Sequence, residues 1–205
     1  MPYIDITPEA RVDVSLAIQL CPVEISGIGE VSCDGDVYHI SEITVFPQEC
    51  YHSHTTFDQD AFTRYAHELN RRRVQTRAPS GMNKKRLWWH SHVWGTARFS
   101  LVDTAYMEKF GADTLLPFNP FLISIVGNKF GILTTRLDVF KPQHRTTYAS
   151  LPLSDPAYTR EMLIRLYKER MPRMQQVVRD MVTIAPFPLD PQTCRLDDLS
   201  LREKP

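Results

Sequence analysis

Long apolar runs are missing from this sequence, and so are paired cysteines, an excess charge of either sign and a basic N-terminal segment leading into an apolar core. No run approaches the roughly 20 residues that a membrane-spanning helix needs. The four cysteines (Cys21, Cys33, Cys50 and Cys194) form no Cys-x-x-Cys pair, which suits neither a small disulfide scaffold nor a cysteine-based zinc site. Twenty-four basic residues balance 24 acidic ones, so overall charge selects no class of partner. Together these absences predict a reduced, cytoplasmic protein without a secretory signal or a membrane span. No internal repeat is visible.

What is present reads as an ordinary globular chain. Its 205 residues allow one well-buried domain plus a tail, and the 42% hydrophobic and 23% charged content is typical of such domains. Thr7 followed by Pro8 marks a helix start, and Val14, Ala17, Ile18 and Cys21 recur at helical spacing up to Pro22. Two strands are predicted over 24–32 and 37–46, joined at Asp34-Gly35, a step suited to a tight hairpin. A second helix is predicted over 57–73, a loop over 75–85, and a short aromatic strand over 87–92. Ser100 opens another helix, which Gly111 is expected to end. Strands over 121–126 and 130–139 flank a turn at Gly127-Asn128-Lys129. From Asp155, which can cap, and Pro156, which can open a helix, a late helix runs on. Pro172 is expected to kink or interrupt it. The alternation predicts an α/β fold, a mixed β-sheet flanked by helices, with a domain over 1–150, a C-terminal helical extension over 151–183 and a flexible tail over 184–205.

The informative segment is Trp88-Trp89-His90-Ser91-His92, followed at fixed distances by Ser100 and Asp103. Histidines at i and i+2 on a strand project to one side, about 7 Å apart at the backbone. Two imidazoles so placed can converge on one ion, and Asp103 can be the third zinc ligand if the helix start folds back onto the strand end. Ser100 can cap that helix, and its hydroxyl can also point toward a developing oxyanion. Ser-x-x-Asp is equally a common helix-start pattern with no catalytic content. A second pair, His52-Ser53-His54, lacks the Ser and Asp at matching distances. It reads as a polar loop, with Asp58 or Asp60 as its only prospective partners for a metal.

The complete pattern resembles the JAMM motif of the JAB/MPN-domain zinc metalloproteases: Glu24, His90-Ser91-His92, seven residues, Ser100, two residues, Asp103. Glu24-Ile25-Ser26-Gly27 is also similar to that family's first-strand Glu-x-x-Gly signature. The resemblance spans about residues 10 to 140. It departs from the family at Val93, where a proline is usual, which implies altered loop geometry with the ligands kept. It implies a cytidine-deaminase-like JAB/MPN sandwich. It implies one catalytic zinc ion on His90, His92 and Asp103, and Glu24 as the general base. It also implies a deubiquitinase-like hydrolase that cleaves after the C-terminus of ubiquitin or a ubiquitin-like protein, similar to prokaryotic members of the family. Water activated by the metal is the expected nucleophile, with Ser100 assisting the oxyanion. Without the joint pattern Glu24 would read as an exposed strand-end carboxylate. Glu30 is the rival base, but it does not fit Glu-x-x-Gly.

Other features bear on partners. Eight basic residues and no acidic one lie between Leu69 and Val102 (Arg71, Arg72, Arg73, Arg77, Lys84, Lys85, Arg86, Arg98). They would steer an acidic partner or simply stay solvated; nucleic-acid binding lacks a supporting motif. Trp94 and Phe99, in the inter-ligand loop, are candidate contacts for the substrate tail, with packing the alternative for Trp94. The late helix covers its own domain or joins a partner or a second copy. Competing readings are a processing peptidase for a ubiquitin-like sulfur carrier, a cell-wall-related peptidase and a non-catalytic MPN-type scaffold. A zinc deaminase is disfavoured because no Pro-Cys-x-x-Cys segment accompanies the histidines.

Overall fold

The structure is a computed structural model that describes residues 2–76, 84–112 and 121–185. Of the loop expected over 75–85, residues 77–83 lie outside the described residues, as do residues 186–205 of the tail expected over 184–205, Arg77 and Cys194 among them; α2 and β6 take the ends of that loop, and Ile184 belongs to β10. Strand β1 (Tyr3–Ile6) leads into helix α1 (Pro8–Leu20), followed by β2 (Ser26–Asp34), β3 (Val37–Thr44), β4 (Gln48–Cys50) and β5 (Thr55–Phe57). Helix α2 (Gln59–Thr76), β6 (Lys85–Ser91) and helix α3 (Leu101–Ala112) come next. The described elements close with β7 (Phe121–Gly127), β8 (Leu133–Val139), β9 (Arg145–Ala149), helix α4 (Arg160–Met181) and β10 (Val182–Ile184). A seven-stranded sheet has the order β1-β3-β2-β6-β7-β8-β9, and a three-stranded sheet has the order β10-β4-β5. Within the large sheet β1–β3 and β6–β7 are parallel and the other pairs antiparallel. The fold is therefore mixed α/β. No described helix is long and apolar enough to cross a membrane.

Local chemistry explains most boundaries. Thr7 Oγ1 accepts the Ala10 N–H at 3.2 Å, with Pro8 supplying the preset φ of a first helical turn. Gly35 takes φ +56°, which the β2–β3 hairpin turn requires. Helix α2 starts later than residue 57 because Asp58 Oδ1 caps it by accepting the Ala61 N–H at 2.9 Å, leaving Phe57 to complete β5. The late helix likewise starts later than expected. Asp155 Oδ1 accepts the Ala157 N–H in a local turn, and Thr159 is the residue that caps α4, accepting the Met162 N–H. Helix α4 continues through Pro172, because the buried side chains Leu166 and Met174 pack into the core on either side of it. Helix α3 likewise runs past Gly111, to Ala112. The β7–β8 turn is longer than the three residues expected. Asn128 Oδ1 accepts the N–H groups of Phe130 and Ile132, Gly131 takes φ +79°, and β8 begins only at Leu133. Strands β1, β4, β5, β9 and β10 were not expected; three to five residues are too few to carry a period.

The core lies between the large sheet and α1. Leu16, Ile18, Leu87, Trp89, Ile123 and Ile125 belong to one buried cluster, and Leu166 and Met174 of α4 join it. Asp13 of α1 is tied to Arg170 of α4 through Nε–Oδ1 at 2.6 Å and Nη2–Oδ2 at 2.5 Å. The late helix therefore covers the chain's own first helix. Close approach in this core explains one glycine. A Cβ on Gly27 would stand 2.3 Å from the Thr44 carbonyl oxygen and 2.5 Å from the Trp89 ring. Gly27→Ala should cost about 1–3 kcal/mol of stability by overpacking. Urea unfolding of the variant beside the parent protein measures it, and an unchanged midpoint would contradict the packing described.

Candidate metal centre

Strand β6 sits between β2 and β7, and its last residues form the centre of the site. Ser26 of β2 is in register with His90, and the peptide of Ile25 is locked to Ser91. Ser91 N–H donates to Ile25 O at 2.9 Å, and Ile25 N–H donates to Ser91 Oγ at 3.0 Å. On the other side the His92 N–H donates to Gly127 O of β7 at 2.8 Å. Trp88 and His90, two apart on a strand, share a face. Their rings stack with centroids 4.5 Å apart and planes 19° apart, while Trp89 is fully buried in the core.

The third donor arrives on the first turn of α3. Ser100 and Asp103 form a reciprocal cap: the Asp103 N–H donates to Ser100 Oγ at 3.1 Å. In return the Ser100 N–H and hydroxyl both donate to Asp103 Oδ2 at 2.7 Å. The capping reading and the ligand reading of Ser-x-x-Asp are thus compatible, because the cap fixes the carboxylate that faces the histidines.

Three side chains converge. His90 Nε2 and His92 Nε2 are 3.2 Å apart, His90 Nε2 and Asp103 Oδ1 3.2 Å, and His92 Nε2 and Asp103 Oδ2 3.4 Å. Zinc–donor bonds of about 2.0–2.1 Å at tetrahedral angles require donor separations of about 3.3–3.4 Å, so each of these pairwise separations is near that value, with the two histidines facing different oxygens of the Asp103 carboxylate. The tautomer also suits a ligand: His92 Nδ1 lies 3.2 Å from Thr96 O, a contact that places the proton on Nδ1 and leaves Nε2 as a lone pair. Two imidazole nitrogens and a carboxylate at this spacing are held together by a shared cation or proton. In its absence Asp103 perturbs its neighbours. Hydrogen bonding to Asp103 raises the His92 pKa, and against the opposing effect of burial the two histidines hold Asp103 well below the usual carboxylate range. The buried His90–His92–Asp103 group can therefore hold a metal ion.

Glu24 reaches the same place from the segment before β2, where its N–H donates to Tyr51 O at 3.0 Å. It lines a cavity of about 840 Å³ together with His90, His92, Ser100 and Asp103. Burial pushes its carboxyl up to about 7, with His92 opposing and the Asp103 charge reinforcing the shift. Glu30, the rival, instead pairs with buried Lys85 at 3.1 Å. Trp94 lines the cavity and is 70% exposed, its ring edge-on to Phe130 at 6.2 Å. Phe99 does not line the cavity; its ring lies 6.2 Å from both His90 and Tyr148.

The second histidine pair occupies the β4–β5 loop and lines the far side of the same cavity, with His54 stacked on Tyr51 at 4.1 Å. Asp58 is engaged as the α2 cap, and no metal-binding group among the described residues includes either histidine. Of the basic stretch, Lys85 is buried beside Glu30 and Arg86 lies over Phe121, so these two have packing roles, whereas Arg71 pairs with Glu68 at the surface. Sequence reasoning missed Trp88 and Tyr106 as cavity walls. The signal for Trp88 was its i, i+2 relation to His90; Tyr106, one helical turn beyond Asp103, carried none of that strength.

No protein-family model matches the chain, and no curated protein sequence matches it. Among the solved structures with a similar backbone is the solution structure of protein DSY2949 from Desulfitobacterium hafniense. It has 16% sequence identity and a TM-score of 0.48, and the match covers 78% of this chain and 97% of that chain.

A pH prediction follows from Glu24 in the metal-free protein. Below about pH 4.5 the carboxyl is neutral in both folded and unfolded chains, and above about 7 it is ionised in both. Between these limits the folded state binds the proton more tightly, so stability must fall as pH rises. In the presence of a chelator, the parent should lose stability relative to Glu24→Gln across that window. The loss is on the order of 1 kcal/mol, allowing for solvent screening of a half-buried group. Parallel melting curves from pH 4 to 8 measure it; a constant gap would refute the environment assigned to Glu24.

Proposed function

We propose that the chain is a zinc-dependent peptidase of the JAMM type that hydrolyses a peptide or isopeptide bond following the C-terminus of ubiquitin or a ubiquitin-like protein. One observation carries the reading. The imidazoles of His90 and His92 and the carboxylate of Asp103 converge with nearest donor separations of 3.2–3.4 Å, in a cavity that Glu24 also lines. The mixed sheet, with α1 packed against it and α4 packed on α1, is compatible with a JAB/MPN sandwich, and Gly27 of Glu-x-x-Gly has a packing reason to be there.

When bound, zinc supplies Lewis acidity that lets water ionise near neutral pH and polarises a carbonyl. The protein's own groups manage position and protons. Glu24 accepts a proton from the attacking water and returns it to the amine nitrogen as the C–N bond breaks. A carboxyl whose half-buried setting raises its proton affinity is suited to both steps. Ser100 holds Asp103 Oδ2, and any direct service to the oxyanion requires its hydroxyl to turn away from that bond. Trp88 fixes the plane of His90 by stacking. An extended substrate tail fits along β5, an edge strand of the small sheet, whose Thr55, Thr56 and Phe57 line the cavity. Trp94 stands at the rim as a contact for the tail.

Elemental analysis of the purified protein should give about one zinc per chain, lost in Asp103→Ala. Glu24→Gln should retain the metal yet cleave C-terminally extended ubiquitin-like substrates about 10²–10⁴-fold more slowly. Normal cleavage by Glu24→Gln removes Glu24 from the mechanism. No zinc in any of the proteins, even when zinc is supplied during expression, favours the non-catalytic scaffold.

A further inference from the structure

Arg136 and Asp138 of β8 are buried, 3% and 0% exposed, and sit two apart on one face of the strand. Arg136 Nε lies 2.8 Å from Asp138 Oδ2, and Nη2 donates to Oδ1 at 2.8 Å. Asp138 Oδ1 also accepts from the Thr146 hydroxyl at 2.7 Å and lies 2.8 Å from His144 Nε2. Withdrawing such a pair from water costs about as much as the attraction returns, so sheet stability alone is a poor reason for it. The remaining arm of the guanidinium points elsewhere. Arg136 Nη1 donates to Thr104 Oγ1 on α3 at 3.1 Å, and the guanidinium lies 5.9 Å from the Phe99 ring centroid.

Phe99 and Thr104 flank the Ser100–Asp103 cap on either side. Among the described residues few apolar contacts hold that turn, the Tyr106 ring lying beside Trp88 at 5.2 Å. Leu101 and Val102, at the start of α3, are 89% and 79% exposed, and the first fully buried apolar side chain of the helix is Met107. The helix start that carries the third ligand is therefore anchored by a polar contact from the sheet.

We propose that Arg136 is a positioning residue for Asp103: oriented by Asp138, Thr146 and His144, it grips Thr104 and Phe99 and so sets where the Asp103 carboxylate stands relative to His90 and His92. The proposal rests on reading those three residues as a metal site, and its test separates the two. Arg136→Met alone strands Asp138 in the interior and is expected to unfold, so Thr104→Val is the informative variant, with Thr104→Ser as the rescue. The double change Arg136→Met/Asp138→Leu, which removes both charges together, should behave as Thr104→Val does.

Two readouts are needed. Competition of zinc against a chromophoric chelator should show affinity about 10–100-fold weaker in Thr104→Val and near the parent value in Thr104→Ser. In metal-free protein, hydrogen exchange at the Asp103 and Thr104 amides, the latter bonded to Ser100 O at 3.0 Å, should be at least about tenfold faster in Thr104→Val. Unchanged exchange at these amides overturns the proposal whatever the zinc affinity. Equal zinc affinity in Thr104→Val and the parent overturns it as well. If the parent takes up no zinc, the metal reading fails by itself and the exchange rates alone decide the positioning role.

Discussion

Everything at this site depends on holding the end of β6 and the start of α3 within about one hydrogen-bond length of each other. Two lone-pair nitrogens and a carboxylate repel or compete unless something positive lies between them, so the chain must pin each donor from behind. Ser91 and Ile25 exchange hydrogen bonds to fix one side of β6, and Gly127 receives the His92 N–H on the other. Thr96 orients the His92 ring, Trp88 the His90 ring, and the Ser100 cap the Asp103 carboxylate. The loop between the two segments is tied down in turn. Asn128 Nδ2 donates to Gly95 O, the Lys129 N–H to Val93 O, and the Thr134 hydroxyl to Ala97 O. Val93 is itself buried, and its carbonyl is anchored by the Lys129 N–H, which helps hold the loop on its course.

The sheet serves this arrangement through its register. Placing Ser26 opposite His90 leaves Glu24 two residues upstream, beyond the last ladder pair, where the chain turns to meet Tyr51. Gln48 of β4 secures the same corner. Its amide donates to Ser26 O at 2.8 Å, and its Oε1 accepts the Ser26 N–H at 3.0 Å. The small sheet is thus joined to the large one beside the cavity, and β5 forms part of the cavity wall as a result.

Much of this was legible in the residues, and the failures have physical causes. The donor set was readable because period-two projection and a capping pattern each fix a side chain's direction from local geometry alone. The α1 start and the β2–β3 hairpin were readable for the same reason, since Thr7, Pro8 and Gly35 act through their own backbone. Phe99 was assigned by proximity in sequence, and the fold turns it toward Arg136 and Tyr148 instead. Asp155 was a plausible cap that lost to Thr159, because its side chain closes a local turn first. Of the kink or interruption expected at Pro172, the interruption does not occur, because tertiary packing on both sides outweighs one lost backbone hydrogen bond. Arg136 and Asp138 gave no signal at all: in sequence they are two charges on a strand, and only the sheet buries them.

The candidate metal donors are close along the chain and Glu24 is remote. His92 and Asp103 close a loop of about ten residues, an entropic cost that varies only slowly with length, whereas Glu24 joins them only after β2 has paired with β6. An ion can therefore be captured by a local excursion of the chain while the long-range β-sheet contacts are still incomplete. Bringing Glu24 alongside has a stricter requirement, the finished register. Convergence of the two histidines with Asp103 is thus a local property of residues 90–103, whereas their meeting with Glu24 is a property of the completed sheet.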